Sequence, residues 1–357
     1  QVGARVRQRD VGVGIGQQRH HARFLGVQQD GREFGVEILR QADVEHAVER
    51  VDAALGGEVG QRAALQPGIL RPAGIDQVQP VPLAVEEAPA AEVAQLRRDV
   101  RTGFFSLIGP SVPLFLVNGN HDAELGWFLD GTTRNLAGWG ADARADYYPC
   151  PVPGGFYSGR AEPEPPLPGA RDGYYSFQWG NALFVMLDPF WFTSTKPGTG
   201  PDIWDWTLGA NQYAWLREIL SNNTAALKLV FIHQLVGGSF DGAGRGGLEF
   251  AQYGEWGGHN TNGTWGFDSR RPGWELPIQD LLLSNGVDAV FHGHDHLYVK
   301  QDLDSDGNGR AELVYQEVPQ PSRNNYNNTI DAATYGYTNG IIQGNSGHLR
   351  VTVSSSN

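Results

Sequence analysis

The chain has 357 residues, enough for one large domain or two ordinary ones around a real core. Its net charge of −13 argues against a nucleic-acid-binding patch or an anionic membrane surface as partner, because polyanions would be repelled. The single cysteine, Cys150, excludes an internal disulfide and a cysteine-rich zinc cage, and no apolar run reaches the length of a membrane span.

In chain order, the first 103 residues stand apart. They contain no Ser, Asn, Lys, Tyr, Trp, Cys or Met, and Thr102 is their only threonine. All 10 tryptophans and all 12 tyrosines lie later. The missing side chains share no physical property, so neither folding nor disorder would select against them together. They share codon chemistry instead: all but seven residues of 1–103 can be written with a codon that starts in G or C. A GC-rich gene read in a shifted frame or from the opposite strand produces that pattern. Residues 1–103 are therefore expected to be misread coding DNA that forms no native domain, and the true N-terminus is expected to lie outside the chain. The alternative is a low-complexity extension of biased composition.

From Phe104 onward the grammar is ordinary, and 104–357 reads as one catalytic core. Ser111–Asp122, SVPLFLVNGNHD, predicts a buried strand running into a Gly-Asn turn. Tyr174–Asp188 alternates, turns at Gly180-Asn181 and continues apolar, which predicts a hairpin. Thr207–Asn223 has apolar residues at helical spacing and a capping threonine. Leu227–His233 predicts a second buried strand, Leu276–Ser284 a short helix, and Gly286–Phe291 a third strand ending in HGHDH. Strands alternating with helices point to an α/β layered fold. Long segments rich in Gly, Pro and Trp read as loops around the strand ends.

Three strands finish in potential metal ligands: Gly119-Asn120-His121-Asp122, Ile232-His233-Gln234 and Gly293-His294-Asp295-His296. In an open α/β sheet the strand carboxyl ends converge on one crevice. His294 and His296, two apart in extended chain, are expected to face one side. Imidazole nitrogen and amide oxygen suit borderline metals such as Zn, Mn or Fe. A single strand-end histidine is more often structural, and that reading is kept for His292, His259, His348, His20, His21 and His46.

The ordered set GNHD, strand-terminal His233 and GHDH resembles the C-terminal motifs of the calcineurin-like metallophosphoesterase superfamily. The resemblance covers about Phe104 to Val353, and the hairpin and following helix resemble its secreted, purple-acid-phosphatase-like members. It implies a sandwich of two mixed β-sheets flanked by helices, with two divalent or trivalent metals (Fe, Zn or Mn). Carried over, Asn120, His233 and His294 would ligate one metal and His296 the other. His121, oriented by Asp122, would protonate the leaving oxygen of a small phosphate-ester substrate. The ions would activate a hydroxide and clamp both oxygens of an in-line displacement.

One departure matters. The family pattern also needs Asp-x-His and Gly-Asp-x-x-Asp ahead of GNHD, and neither occurs anywhere in the chain. Both belong in 1–103. This chain is therefore expected to hold one metal, and a catalytically impaired binding protein lacking the bridging carboxylate is the alternative to an enzyme. Weaker signals remain. Asp302, Asp304, Asp306 and Asn308 resemble the start of a calcium loop, but Leu313 stands where the bidentate Glu is expected. A polar hairpin turn, or a calcium-stabilised extracellular module, would use the same residues. Arg245 is a candidate phosphate contact or part of a flexible loop. The loop tryptophans could line a pocket or simply pack. Few cysteines and Trp-, Asn- and Gly-rich loops suit a secreted or periplasmic protein.

Overall fold

The structure, a computed structural model, describes residues 113–148, 153–159, 173–196, 202–320, 329–344 and 347–353. It also describes the backbone of two short strands nearer the N-terminus and isolated positions between 94 and 109. In chain order the elements are β1 (Gly12–Gly14), β2 (Phe34–Glu37), α1 (Leu136–Tyr147), β3 (Tyr157–Gly159), β4 (Tyr175–Trp179) and β5 (Ala182–Met186). Then follow α2 (Gly209–Ser221), β6 (Leu227–Phe231), α3 (Gly254–Gly257), α4 (Phe267–Arg270), α5 (Ile278–Ser284) and β7 (Ala289–His292). The chain closes with β8 (Tyr298–Leu303), β9 (Leu313–Glu317), β10 (Ile341–Gln343) and β11 (Arg350–Val353).

The fold is α/β. An 8-stranded mixed sheet runs in the order β10-β8-β9-β7-β6-β5-β4-β3, with β5, β6, β7 and β9 parallel to one another. A smaller sheet, β1-β11-β2, is antiparallel rather than mixed. The hairpin forms as its alternation predicts: β4 and β5 pair in antiparallel register across the two-residue turn Gly180-Asn181. Gly180 takes a φ of +59°, which the turn requires and glycine allows.

Two layers bury the central strands. On one face Val185, Val230 and Val290 pack under Tyr213, Leu216 and Leu220 of α2 and Leu281 and Leu282 of α5. On the other, Leu229, Ala289 and Phe291 meet Leu349 and Val351. A row of stacked rings crosses four strands on this second face. Phe177 and Phe184 lie 4.9 Å apart, and Phe231 and Phe291 also 4.9 Å. Cross-strand aromatic pairs of this kind add to sheet stability beyond their buried area.

The segment expected as a strand over Ser111–Asn118 differs. Residues 113–119 run extended but join no ladder among the described residues. The strands nearest to it are already paired, β4 with β3 and β5, and β5 with β4 and β6. The segment is held by side chains instead: Phe115 stacks on Phe177 at 4.2 Å, and the Tyr175 hydroxyl donates to the Leu116 carbonyl at 2.9 Å.

Helix α2 starts one residue later than a cap at Thr207 predicts: Leu208 is its N-cap, with no side-chain cap bond, and the Thr207 Oγ1 accepts from the Gly209 N–H at 2.9 Å from just outside the helix. Its start is anchored by the fully buried Glu255, which accepts from the Thr207 hydroxyl at 2.6 Å and the Leu208 N–H at 2.8 Å. Burial pushes the Glu255 carboxyl up, and the adjacent Arg271 guanidinium opposes that. Arg271 also donates to the carbonyls of Trp204 and Trp206 at 2.6 and 3.1 Å. Removing one partner of a buried ion pair strands the other charge, so Arg271→Ala should lower unfolding free energy by about 3–5 kcal/mol in urea titration. A loss below about 1 kcal/mol would mean that Glu255 simply takes up a proton and the pair holds nothing.

Candidate functional site

The site is built where β6 and β7 leave the sheet. Their parallel ladder continues past the strand ends: Ile232 N–H donates to Phe291 O at 3.0 Å, and Gly293 N–H to His233 O at 2.8 Å. This sets His233 beside the turn that carries His294. Asn120 arrives on a third segment, a tight turn closed by Asp122 N–H to Gly119 O at 3.0 Å and Gly119 N–H to Asp122 Oδ2 at 2.6 Å. Gly119 lets the two segments approach closely here. A Cβ on it would lie 3.1 Å from both Cε1 and Nδ1 of His233.

Three donor atoms converge. His233 Nε2 lies 2.9 Å from Asn120 Oδ1 and 3.3 Å from His294 Nδ1. His294 Nε2 lies 2.8 Å from the Ala243 carbonyl, which can only accept, so Nε2 carries the proton. In the neutral ring Nδ1 then holds the lone pair and faces His233. One N–H on His233 cannot serve both neighbours at full strength. Two ligands each about 2.0–2.1 Å from a shared ion would stand roughly 2.9 Å apart at a right angle and roughly 3.4 Å apart in a tetrahedron. The observed spacings fall within that range, so these residues fit a metal.

Electrostatics agree with neutral ligands. Burial, with His294, His121 and His296 close by, holds His233 well below the ordinary imidazole range. Burial and the nearby Arg245 charge bring His294 down to about 4. His296 is lowered by burial and by the same neighbours. The expectation that His294 and His296 share one side of an extended strand needs correcting. Both sit in a turn with left-handed backbone, φ +83° and +60°, so period-two logic does not apply to them. His121 is exposed beside the cluster, while Asp122 spends one oxygen on its own turn. Among the described residues no Asp, Glu or further His completes a three-membered cluster with His233 and His294.

Several residues that the sequence did not single out hold this site. Asp295 is buried and accepts from Gly246 N–H at 2.7 Å, the Tyr337 hydroxyl at 2.9 Å and Arg245 Nη1 at 3.2 Å. Its own N–H donates to Glu317 Oε1 at 3.0 Å. His292 lies inside the sheet, as the structural reading expects, with Nδ1 2.7 Å from Glu317 Oε2. Burial takes His292 down to about 3 and pushes Glu317 well up, so both favour their neutral forms. Arg245, the candidate phosphate contact, is partly exposed and stacks 4.2 Å over the Tyr335 ring. Asp188, just beyond β5, is a further strand-end polar group; Asn118 Nδ2 lies 3.4 Å from its Oδ2 and 3.4 Å from Glu124 Oε2. An apolar run closed by one Asp was the signal for it.

The acidic loop between β8 and β9 gathers a different set from the one expected. Oxygens of Asp304, Asp306 and Glu312 lie within 4.8 Å of one another. Asp302 instead faces Lys300 Nζ at 2.6 Å, and Asn308 Oδ1 accepts from Arg310 N–H at 2.9 Å. The carboxylates already accept backbone protons from Ser305, Asn308 and Gly309, as in a polar hairpin turn. Of the loop tryptophans, Trp191, Trp204, Trp206 and Trp256 are buried in packing positions.

No family model matches the chain. No curated protein matches it either. Among solved structures it is similar to a structure of PhoD, at 15% identity and TM-score 0.42, over 66% of this chain and 46% of that one. It is also similar to purple acid phosphatase PPD1 from yellow lupin (Lupinus luteus) seeds, at 16% identity and TM-score 0.33, over 61% of this chain and 33% of that one. The chain spans less than half the length of each.

The depressed histidines make a prediction about acid stability. A group whose folded pKa lies below its unfolded value of about 6.5 takes up a proton on unfolding, so stability is full above that pH and falls below it. His233→Gln in the metal-free protein should make the fall of unfolding free energy between pH 6 and 5 shallower by up to about 1.4 kcal/mol per pH unit. An unchanged slope in urea titrations at both pH values would mean that folded His233 is charged there.

Proposed function

We propose that the chain is a metal-dependent phosphoric ester hydrolase, a phosphomonoesterase or phosphodiesterase, of the calcineurin-like metallophosphoesterase type. The observation that carries this is the convergence of Asn120 Oδ1, His233 Nε2 and His294 Nδ1 from three separate segments, with the His294 tautomer fixed. The order of the three motifs along the chain supports the same reading. Asn120, His233 and His294 would hold a transition metal, Fe, Zn or Mn, with His296 beside them for a second ion in an intact relative. Such an ion, when bound, polarises a phosphoryl oxygen and lowers the pKa of a water.

The protein's own groups do the rest. Arg245 offers its guanidinium to a non-bridging oxygen of a small phosphate ester, bidentate geometry being its strength. His121, exposed next to the cluster, gives a proton to the leaving oxygen as the P–O bond breaks; the hydroxyl of water ends on phosphorus, and its other proton passes to solvent, from which His121 is reprotonated. Asp122 keeps the turn beneath His121 in shape.

A second reading is a binding protein without turnover. It is favoured by one observation: among the described residues no carboxylate joins His233 and His294. The expected carboxylate motifs would fall in residues 1–103, and six-frame translation of resequenced DNA upstream of Phe104 would show whether another frame encodes them.

The test combines metal content with turnover of a generic aryl phosphate. The protein should retain about one transition metal per chain, lost in His233→Ala and His294→Ala. His121→Ala should keep the metal and lower kcat by about 10²–10⁴-fold. Metal without turnover would establish the binding-protein reading; no metal at all would end both.

A further inference from the structure

The loop from Ser239 to Gly247 is closed on itself, Ser239 N–H donating to Arg245 O at 2.8 Å. It is also tied to the histidine turn at three points. Ala243 O accepts from His294 Nε2 at 2.8 Å, and the Asp295 carboxylate accepts from Gly246 N–H at 2.7 Å and from Arg245 Nη1 at 3.2 Å. Tyr337 donates to the same carboxylate oxygen as Gly246, at 2.9 Å. Glu317 accepts the Asp295 N–H at 3.0 Å. Two segments distant in sequence, the 239–247 loop and Tyr337, therefore meet on one side chain that is 1% exposed, and a third, at Glu317, takes its backbone N–H.

The turn needs such a hold. His294 and His296 flank Asp295 in left-handed backbone, φ +83° and +60°, where a residue with a Cβ is disfavoured. Backbone in that region persists only where the surroundings over-determine it. Asp295 supplies the surroundings, since its backbone and side chain both bond outward while its neighbours turn their rings to the cluster. The same carboxylate holds Arg245, whose charge acts on both His294 and His296.

We propose that Asp295 is a positioning residue that locks the His294–His296 turn and the Arg245 side chain into one fixed relation, so that metal ligand and phosphate contact are aligned together. This rests on the metal-centre reading above. A merely structural Asp295 would lower stability when altered and leave the geometry at a bound ion untouched.

Cobalt(II) separates the two, because its visible absorption reports ligand geometry and its affinity is read without turnover. Asp295→Asn replaces a carboxylate facing three donors with an amide that cannot accept from all of them. It should weaken cobalt affinity by about 10–100-fold, the usual effect of losing a group that orients a ligand, and shift the bound ion's absorption band. Tyr337→Phe removes one donor with little change of shape, and should weaken affinity several-fold with a shift in the same direction. Both are compared with wild type at equal folded fraction, with His294→Ala as the reference for ligand loss. If wild type binds no cobalt, or His294→Ala binds as wild type does, the metal-centre reading fails. If those two behave as expected but Asp295→Asn and Tyr337→Phe bind with unaltered affinity and spectrum, the positioning role is overturned. Should Asp295→Asn not fold, Tyr337→Phe decides alone.

Discussion

Parallel pairing of β6 with β7, in the register Phe231 opposite Phe291, is the constraint on which the rest of the site depends. With that rung fixed, His233 follows two residues beyond β6's last rung and His294 three residues beyond its partner. A slip of one residue would turn the alternating side chains of a strand to the opposite face. It would break the Phe231–Phe291 stack and carry His233 away from Asn120. The register is held by burial on both faces, Val230 and Val290 under the helices and Phe231 and Phe291 beneath the smaller sheet's layer. Packing in the middle of the sheet thus decides the distance between two nitrogens at its edge.

Around that edge the protein gathers polar groups that burial penalises. Asp295 and Glu317 are buried carboxyls, both pushed up by desolvation, and His233, His292 and His294 are imidazoles pushed down by it. Such groups are tolerated only when their hydrogen bonds are met. For Asp295 and for one oxygen of Glu317 they are met, Gly246 and Tyr337 donating to Asp295 and the Asp295 N–H to Glu317 Oε1, while Glu317 Oε2 stands 2.7 Å from His292 Nδ1 without a hydrogen bond. An apolar cluster of the same volume would hold the sheet as well. Folds break the hydrophobic rule mainly where a site needs it broken.

Much of this was legible in the sequence, for reasons that differ by element. The β4–β5 hairpin announced itself through alternation and Gly180-Asn181, and α2 through the spacing of its apolar residues, because these signals are local. The ligand candidates at the strand ends were visible because apolar runs stop at them. The backbone of the HGHDH run was not visible, since two histidines separated by one residue look alike in a strand and in a left-handed turn. Nor was the absence of a ladder along 113–119, because an apolar run does not say whether a strand edge is free to receive it. Asp295, Glu317 and Tyr337 were hidden for a third reason. Their partners lie 22 to 50 residues away, and no periodicity encodes a contact of that kind.

The charge of the donor set has a consequence of its own. Asn120, His233 and His294 are all neutral donors, and the one carboxylate in the HGHDH run, Asp295, is turned onto the loop instead. An ion held by neutral groups keeps its full charge. In a partly buried site that charge is weakly screened, so it repels Arg245 and draws an anion strongly. A bound phosphoryl group would relieve both stresses, because it sits between two positive charges and neutralises part of each. Cation and anion should then each raise the affinity of the other by the same factor, as linkage requires. The carboxylates of the family pattern would supply that neutralisation permanently and let two ions stay bound without substrate. Without them, the arrangement would hold one ion, and hold it more firmly when an anion is present, with the loop tied to Asp295 keeping Arg245 in place.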